Sequence, residues 1–207
     1  MGLTLPLRPC NDAFDLTDVS GDRLVSFIRS TLPSSKVFLF MGLPKTGKTT
    51  FMNAYEVVDS HRTIGRWDRR NIFDMVGGYD EKFLKHIDGF ELSLLNDFLV
   101  KEWSILCYEA IARRVTDRRR ILKLANHYQA TAIVFDGPPE LISERLRKAI
   151  LSGERWGITA DEADSWILDQ WFSSVWPTFE EGWHSIYYVN TFGLAGKKWL
   201  SMTTRRV

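Results

Sequence analysis

Residues 42–49 read Gly-Leu-Pro-Lys-Thr-Gly-Lys-Thr and fit the pattern G-x-x-x-x-G-K-[ST]. Glycines at both ends of such a loop let backbone amides close on phosphate oxygens, and a helix opening at Lys48 adds the positive end of its dipole. The Lys48 ammonium reaches the terminal phosphates, and the Thr49 hydroxyl is offered to a magnesium ion. Gly42, Leu43, Pro44, Lys45, Thr46, Gly47, Lys48, Thr49 and Thr50 are therefore the expected nucleotide-binding residues, with ATP and Mg2+ as the expected ligands. The competing reading is a glycine turn with a solvated lysine. It leaves the apolar run before the loop and the helical spacing after it as coincidence.

A phosphate cradle does not separate a kinase from a hydrolase or a switch, so the acceptor side must decide. Asp68 follows a proposed second strand, where α/β folds place functional groups, and its carboxylate can take the proton of an attacking hydroxyl. The alternative is a surface aspartate paired with Arg66, Arg69 or Arg70. Glu109 ends the stretch WSILCYE and can hold magnesium or its water shell; otherwise it pairs with Arg113 or Arg114. Asp136 precedes Gly137-Pro138, where fixing the turn competes with contact to the nucleotide.

These groups need strands to carry them. KVFLFM at 36–41 is an apolar run of strand length, consistent with a central strand covered on both faces. Further strands are expected at 63–67, 103–108, 130–135 and 185–189. Helices are expected at 48–59, 81–100, 116–128, from Pro138-Pro139 to Ile150, and at 160–174. Strands alternating with helices imply an α/β fold, about five parallel strands with helices on both faces and a small helical lid at about 140–158. Residues 1–35 read as an extension with one helix (Leu24, Phe27, Ile28, Leu32), 36–195 as the main domain, and 196–207 as a basic tail. Trp166 and Trp171 fit one helical face and, with Trp176, read as packing residues.

The chain has 207 residues, 44% of them hydrophobic and 26% charged, enough for one domain with a full core. It contains no apolar stretch long enough to span a bilayer. Cys10 and Cys107 make neither a disulfide framework nor a metal site, and a reducing, cytoplasmic setting is expected. Lys and Arg number 27 against 26 Asp and Glu, a net charge of +1 that argues against a polyanionic partner. The distribution argues otherwise. Arg62, Arg66, Arg69 and Arg70 gather after the second strand, and Arg113, Arg114, Arg118, Arg119 and Arg120 after the third. Between Trp156 and Gly196 there is no Lys or Arg but six acids. Arg69, Arg70, Arg113 and Arg114 are thus the expected acceptor-binding residues, with Trp67 stacking a base beside Asp68. For the run 118–120 a solvated helix face is the equal alternative. A nucleic acid or nucleotide acceptor is the expected partner, with no membrane, and the oligomeric state is left open.

Taken together, GLPKTGKTT at 42–50, WDRRNI at 67–72, the strand ending in Glu109, VFDGPPELISERLRKA at 134–149 and FEEGWHSIYYVN at 179–190 resemble the polynucleotide kinase branch of P-loop kinases. The resemblance implies phosphate and magnesium binding by Lys48 and Thr49, a general base at Asp68, and a lid arginine at Arg145. The sequence departs from that family at four places. Asn71 stands where an arginine is frequent, Ala149 where a second lid arginine falls, and Lys45 where a glycine is common; Glu109-Ala110-Ile111 replaces D-x-N. Arg147, Lys148 or Arg155 must then substitute in the lid. The expected activity is transfer of the γ-phosphoryl group of ATP to a hydroxyl of a nucleic acid. The alternatives are a hydroxymethylated pyrimidine base in DNA, a small molecule or nucleoside, and a nucleotide-binding module without catalysis.

Overall fold

The structure is a computed structural model that describes residues 7–15, 35–58, 63–68, 93, 97–99, 104–125 and 128–206. Among these residues are eight strands: β1 (Arg8–Cys10), β2 (Asp12–Asp15), β3 (Val37–Gly42), β4 (Thr63–Asp68), β5 (Ser104–Ala110), β6 (Ala130–Phe135), β7 (Ser185–Asn190) and β8 (Thr204–Arg206). The helices are α1 (Lys48–Val58), α2 (Val115–Leu124), α3 (Pro139–Leu151), α4 (Ala163–Phe172) and α5 (Gly193–Thr203), with a 3-10 turn at Phe179–Glu181. All five expected strands are present, and α1 to α4 match the helices expected around them. The helix expected within 1–35 lies outside the described residues, as does all but residues 93 and 97–99 of the helices expected at 81–100.

Six strands form one parallel sheet in the order β2-β7-β6-β3-β5-β4. Strand β3 is buried at every position, which is why its sequence is apolar without alternation. Its side chains divide between the two faces with period two. Phe38 and Phe40 lie with Phe51 and Met52 of α1 on one side, where Phe51 meets the rings of Phe40 and Phe135 at 5.6 and 5.5 Å. Val37, Leu39 and Met41 lie on the other, with Tyr108, Ile121, Trp183, Tyr188 and Leu200. Each such buried side chain contributes about 1.5–3 kcal/mol. A third cluster joins Leu43 of the loop to Ile142 and Leu146 of α3 and Ala163 and Ile167 of α4. The pair α3–α4 therefore has its own apolar core, seated on the loop at 42–49. Trp166 and Trp171 pack against that cluster, and Trp176 packs on the main core.

Two terminal regions depart from expectation. Part of the N-terminal extension enters the fold: β2 is the sheet's sixth strand, and β1 pairs in parallel with β8. Residues 196–206 are not a tail but the body of α5 followed by β8. Gly196 lets α5 approach Asn190 so closely that a Cβ there would sit 1.8 Å from Asn190 Oδ1, while Lys197, Lys198, Arg205 and Arg206 remain exposed. The two ends are cross-braced by Arg8. Its NH2 donates to Asp136 Oδ2 at 2.6 Å, its guanidinium lies against the rings of Trp176 and Tyr188, and Trp199 Nε1 donates to the same Asp136 oxygen. Asp136 thus holds chain ends together instead of its own turn. Among the described residues no helix is long and apolar enough to cross a membrane, and both cysteines are buried and outside any disulfide.

Candidate active site

The loop between β3 and α1 lies at the C-terminal end of the sheet, where the chain leaves β3 between β5 and β6. Gly42 has φ +149°, and a Cβ there would fall 2.2 Å from the Phe135 carbonyl oxygen, so only glycine lets β3 pass β6 into the loop. Thr46 Oγ1 donates to the Leu43 carbonyl at 2.8 Å, and Phe51 N donates to the Gly47 carbonyl at 3.0 Å. The loop is thereby held in a curl against the first turn of α1. Leu43, Pro44 and Thr46 are buried, whereas Thr49 and Thr50 are exposed.

Lys48 opens α1 and bends back under the loop, its Nζ donating to the carbonyls of Gly42 and Leu43 at 2.9 Å each. Burial lowers its pKa to about 8, and the nearby carboxylates of Glu109 and Asp68 oppose that shift without cancelling it. Thr49 Oγ1 donates to Glu109 Oε1 at 2.8 Å, and Arg66 bridges Glu109 Oε2, at 3.4 Å, and Asn53 Oδ1, at 2.8 Å. Glu109 pairs with Arg66, not with Arg113 or Arg114. Asp68 stands directly across the β4–β5 ladder from Glu109. Strand alternation puts Arg66 and Asp68 on the face of the sheet that α1 covers. Lys48, Thr49, Asp68 and Glu109 are brought together in this way.

Trp67 shares a strand with Asp68 but not a face. Its indole packs on the core opposite α1, with Nε1 buried and unpartnered, so it does not lie beside Asp68 as a stacking platform. The arginines expected after the third strand also have other uses. Arg113 donates to Gln170 Oε1 at 2.5 Å and Ser173 Oγ at 3.0 Å, and its carbonyl receives Val175 N. Arg114 caps α2 through its backbone alone, its N donating to Asp117 Oδ2 at 3.2 Å, and the residue is exposed. Arg118 is neither solvated nor facing a cleft. It is fully buried, gripping both carboxylate oxygens of Glu181 at 2.7 and 2.6 Å and donating to the carbonyls of Ala112 and Val175. Arg69 and Arg70 lie outside the described residues.

From α3, Arg145 NH1 donates to the Lys45 carbonyl and to Thr191 Oγ1, each at 3.2 Å. Its NH2 donates to the Thr191 carbonyl, and the guanidinium lies 3.8 Å from the centre of the Phe192 ring. Arg155 is exposed in the segment that follows α3. Lys45 is turned away from the loop toward Glu154, 2.6 Å from both carboxylate oxygens. Arg147 is paired with Asp164 and Lys148 with Glu144.

Sequence reasoning missed one wall of the site, the turn Thr191-Phe192 after β7. Thr191 Oγ1 donates to the Thr46 carbonyl at 2.7 Å, and its methyl would lie 2.9 Å from a Cβ on Gly47. Gly137 in turn leaves room for the Phe192 ring. The available signal was position, since these residues follow a parallel strand at the end of the sheet that carries the loop.

No protein-family model and no curated protein matches the chain. Solved structures do match its fold. A candidate kinase from Chloroflexus aurantiacus j-10-fl is similar with a TM-score of 0.55 and 18% identity, over 81% of this chain and 96% of that one. Kti12 from Chaetomium thermophilum, solved in complex with ADP-AlF3, gives 0.53 and 15% over 79% and 94%. A gluconokinase from Sinorhizobium meliloti 1021 gives 0.50 and 15% over 82% and 89%. The fold is the α/β fold of P-loop kinases, and the likeness does not single out the polynucleotide branch.

Proposed function

We propose that this chain is an ATP-dependent kinase whose acceptor is a hydroxyl on a small molecule. The observation that carries the phosphotransfer reading is the convergence of Lys48, Thr49, Glu109 and Asp68 at the ends of β3, β4 and β5. What favours a small acceptor over a polyanion is the fate of Arg113 and Arg118, whose guanidinium groups bind Gln170 and Ser173 and a buried carboxylate instead of a phosphodiester track. A fold shared with a gluconokinase is consistent with that choice.

In this mechanism the loop amides and Lys48 hold the β- and γ-phosphates, and Asp68 orients the acceptor hydroxyl. The acceptor oxygen attacks the γ-phosphorus, its proton passes to the Asp68 carboxylate, and the bond to the β–γ bridging oxygen breaks to release ADP. Thr49 and Glu109 present a hydroxyl and a carboxylate 2.8 Å apart, an all-oxygen pair suited to magnesium, which also needs phosphate oxygens to complete its shell. When bound there, the ion supplies charge neutralisation on the phosphates. Arg145 and Thr191 brace the loop from the lid side so that its amides keep their aim.

The test is transfer of labelled γ-phosphate to a panel of sugars, sugar acids, amino alcohols and free nucleosides, run beside 5'-hydroxyl DNA and RNA and duplex DNA containing hydroxymethylated pyrimidine. Transfer to a small acceptor supports the proposal. Transfer to the nucleic acids alone restores the polynucleotide reading, and ATP binding without transfer to any acceptor favours a non-catalytic module.

A further inference from the structure

Lys45 occupies the turn of the phosphate loop with φ +63°, a left-handed conformation that glycine adopts freely and lysine adopts under strain. Its backbone and its side chain are both tied to the lid, by different residues. Arg145 donates to the carbonyl. Glu154 receives the ammonium on both carboxylate oxygens, and Trp156 frames the pair, with its ring 5.6 Å from Nζ and its Nε1 donating to Glu154 Oε2 at 3.3 Å. Glu154 belongs to the lid, its backbone N donating to the Ala149 carbonyl of α3 at 3.0 Å. The two side chains are 27% and 45% exposed, so the pair adds little to stability and can exchange partners.

The two lysines of the loop are held differently. Lys48 is buried under the loop on backbone carbonyls, while Lys45 leaves the loop on its more exposed side and rests on a carboxylate. To an ammonium group a carboxylate and a phosphate are ligands of one kind, but a terminal phosphate carries more negative charge and repels Glu154. Lysine's flexible four-carbon stem lets the ammonium turn from one to the other without moving the backbone. We propose that Lys45 is a second phosphate-binding cation, held on Glu154 until the terminal phosphate of a nucleoside triphosphate displaces that carboxylate. The exchange makes the loop prefer triphosphate to diphosphate. This inference rests on the nucleotide reading of the loop given above.

The experiment is calorimetric titration of ATP and of ADP, each with magnesium, into the intact protein and into Lys45→Gly, Lys45→Met and Glu154→Gln. Glycine suits the backbone at this position, so the first variant is expected to fold; the second tests the same charge without changing chain flexibility. Both Lys45 variants should weaken ATP about tenfold and ADP less than twofold, the size expected for one charge-assisted contact. Glu154→Gln should tighten ATP about threefold and leave ADP unchanged, since it takes away the competing negative charge while keeping an oxygen to accept from Trp156. Equal losses for ATP and ADP in the Lys45 variants, or an unchanged ATP-to-ADP ratio in all three, overturn the proposal while leaving nucleotide binding standing. If the unaltered protein binds neither nucleotide, the nucleotide reading itself is overturned and this inference with it.

Discussion

The Thr49 hydroxyl donates to Glu109 across 2.8 Å, joining the first turn of α1 to the end of β5. Two oxygens from separate elements are thus positioned before any ion arrives, and Arg66 neutralises the carboxylate from its other side. Glu109→Gln is expected to keep the fold and the hydrogen bond but lower phosphoryl transfer roughly a hundredfold, because a neutral amide is a poor partner for magnesium. Transfer rates measured across a magnesium titration check this. A shift of the magnesium midpoint should accompany the loss.

Asp68 is expected to act on the acceptor and not on the nucleotide. Asp68→Asn should reduce transfer by roughly a thousandfold while ATP affinity stays within about twofold of the unaltered protein. Single-turnover transfer and equilibrium binding, measured on the same preparation, separate the two effects.

Lys48 makes ATP binding depend on pH in a defined direction. Its pKa lies near 8 in the folded chain, below the ordinary 10.5, because burial disfavours the charged form. Polyphosphate binds the protonated lysine, so affinity should be level below pH 8 and fall above it by up to about tenfold per pH unit, with proton uptake on binding. The stability linkage has the opposite sign. The cost of charging a buried lysine is fully present below pH 8, and it is relieved as pH rises from 8 toward 10.5, the window in which the unfolded chain binds more protons. Titrations at pH 7 to 9.5 in buffers of different ionisation enthalpy test the binding claim.

Asp136 and Arg8 form a buried ion pair with side chains 0% and 8% exposed. Removing one partner strands the other, so Asp136→Ala should cost about 3–5 kcal/mol in urea unfolding. Trp199 also loses its acceptor. If Arg8→Met costs as little as an ordinary surface change, the brace at the chain ends is not a stability element.

The core strands were legible because they are buried on both faces: KVFLFM, ATAIVF and SIYYV form nearly uninterrupted apolar runs, which polar loops bound. The turn at 42–49 was legible because glycines at fixed spacing mark a tight passage from strand to helix, and Gly42 and Gly47 both take positive φ. Asp12–Asp15 was not, since an edge strand with acids at both ends carries no apolar run. Helix α5 was hidden by its glycines and by an exposed lysine pair, with Leu200 its one large, fully buried apolar residue. Arg118 shows how charge counting fails at a single residue. It lies on the buried face of α2, three residues before Ile121 and seven before the capping residue Ala125, and its acidic partner Glu181 is 63 residues away. Two of the arginines whose spacing pointed to the acceptor side, Arg113 and Arg118, are tied to other parts of the chain instead.

The pairing of β1 with β8 has a consequence for biosynthesis. Arg8 aligns with Thr204 and Cys10 with Arg206, so the partner strand of residues 8–10 exists only after about two hundred more residues have been added. During synthesis the region from β3 to β6 can assemble around the phosphate loop, but β2 must wait for β7, and β1 must wait for residues 204–206 to leave the ribosome. Residues 8–10 are therefore made long before they can find their place. A stalled or shortened chain leaves Arg8 without the ladder that presents it to Asp136.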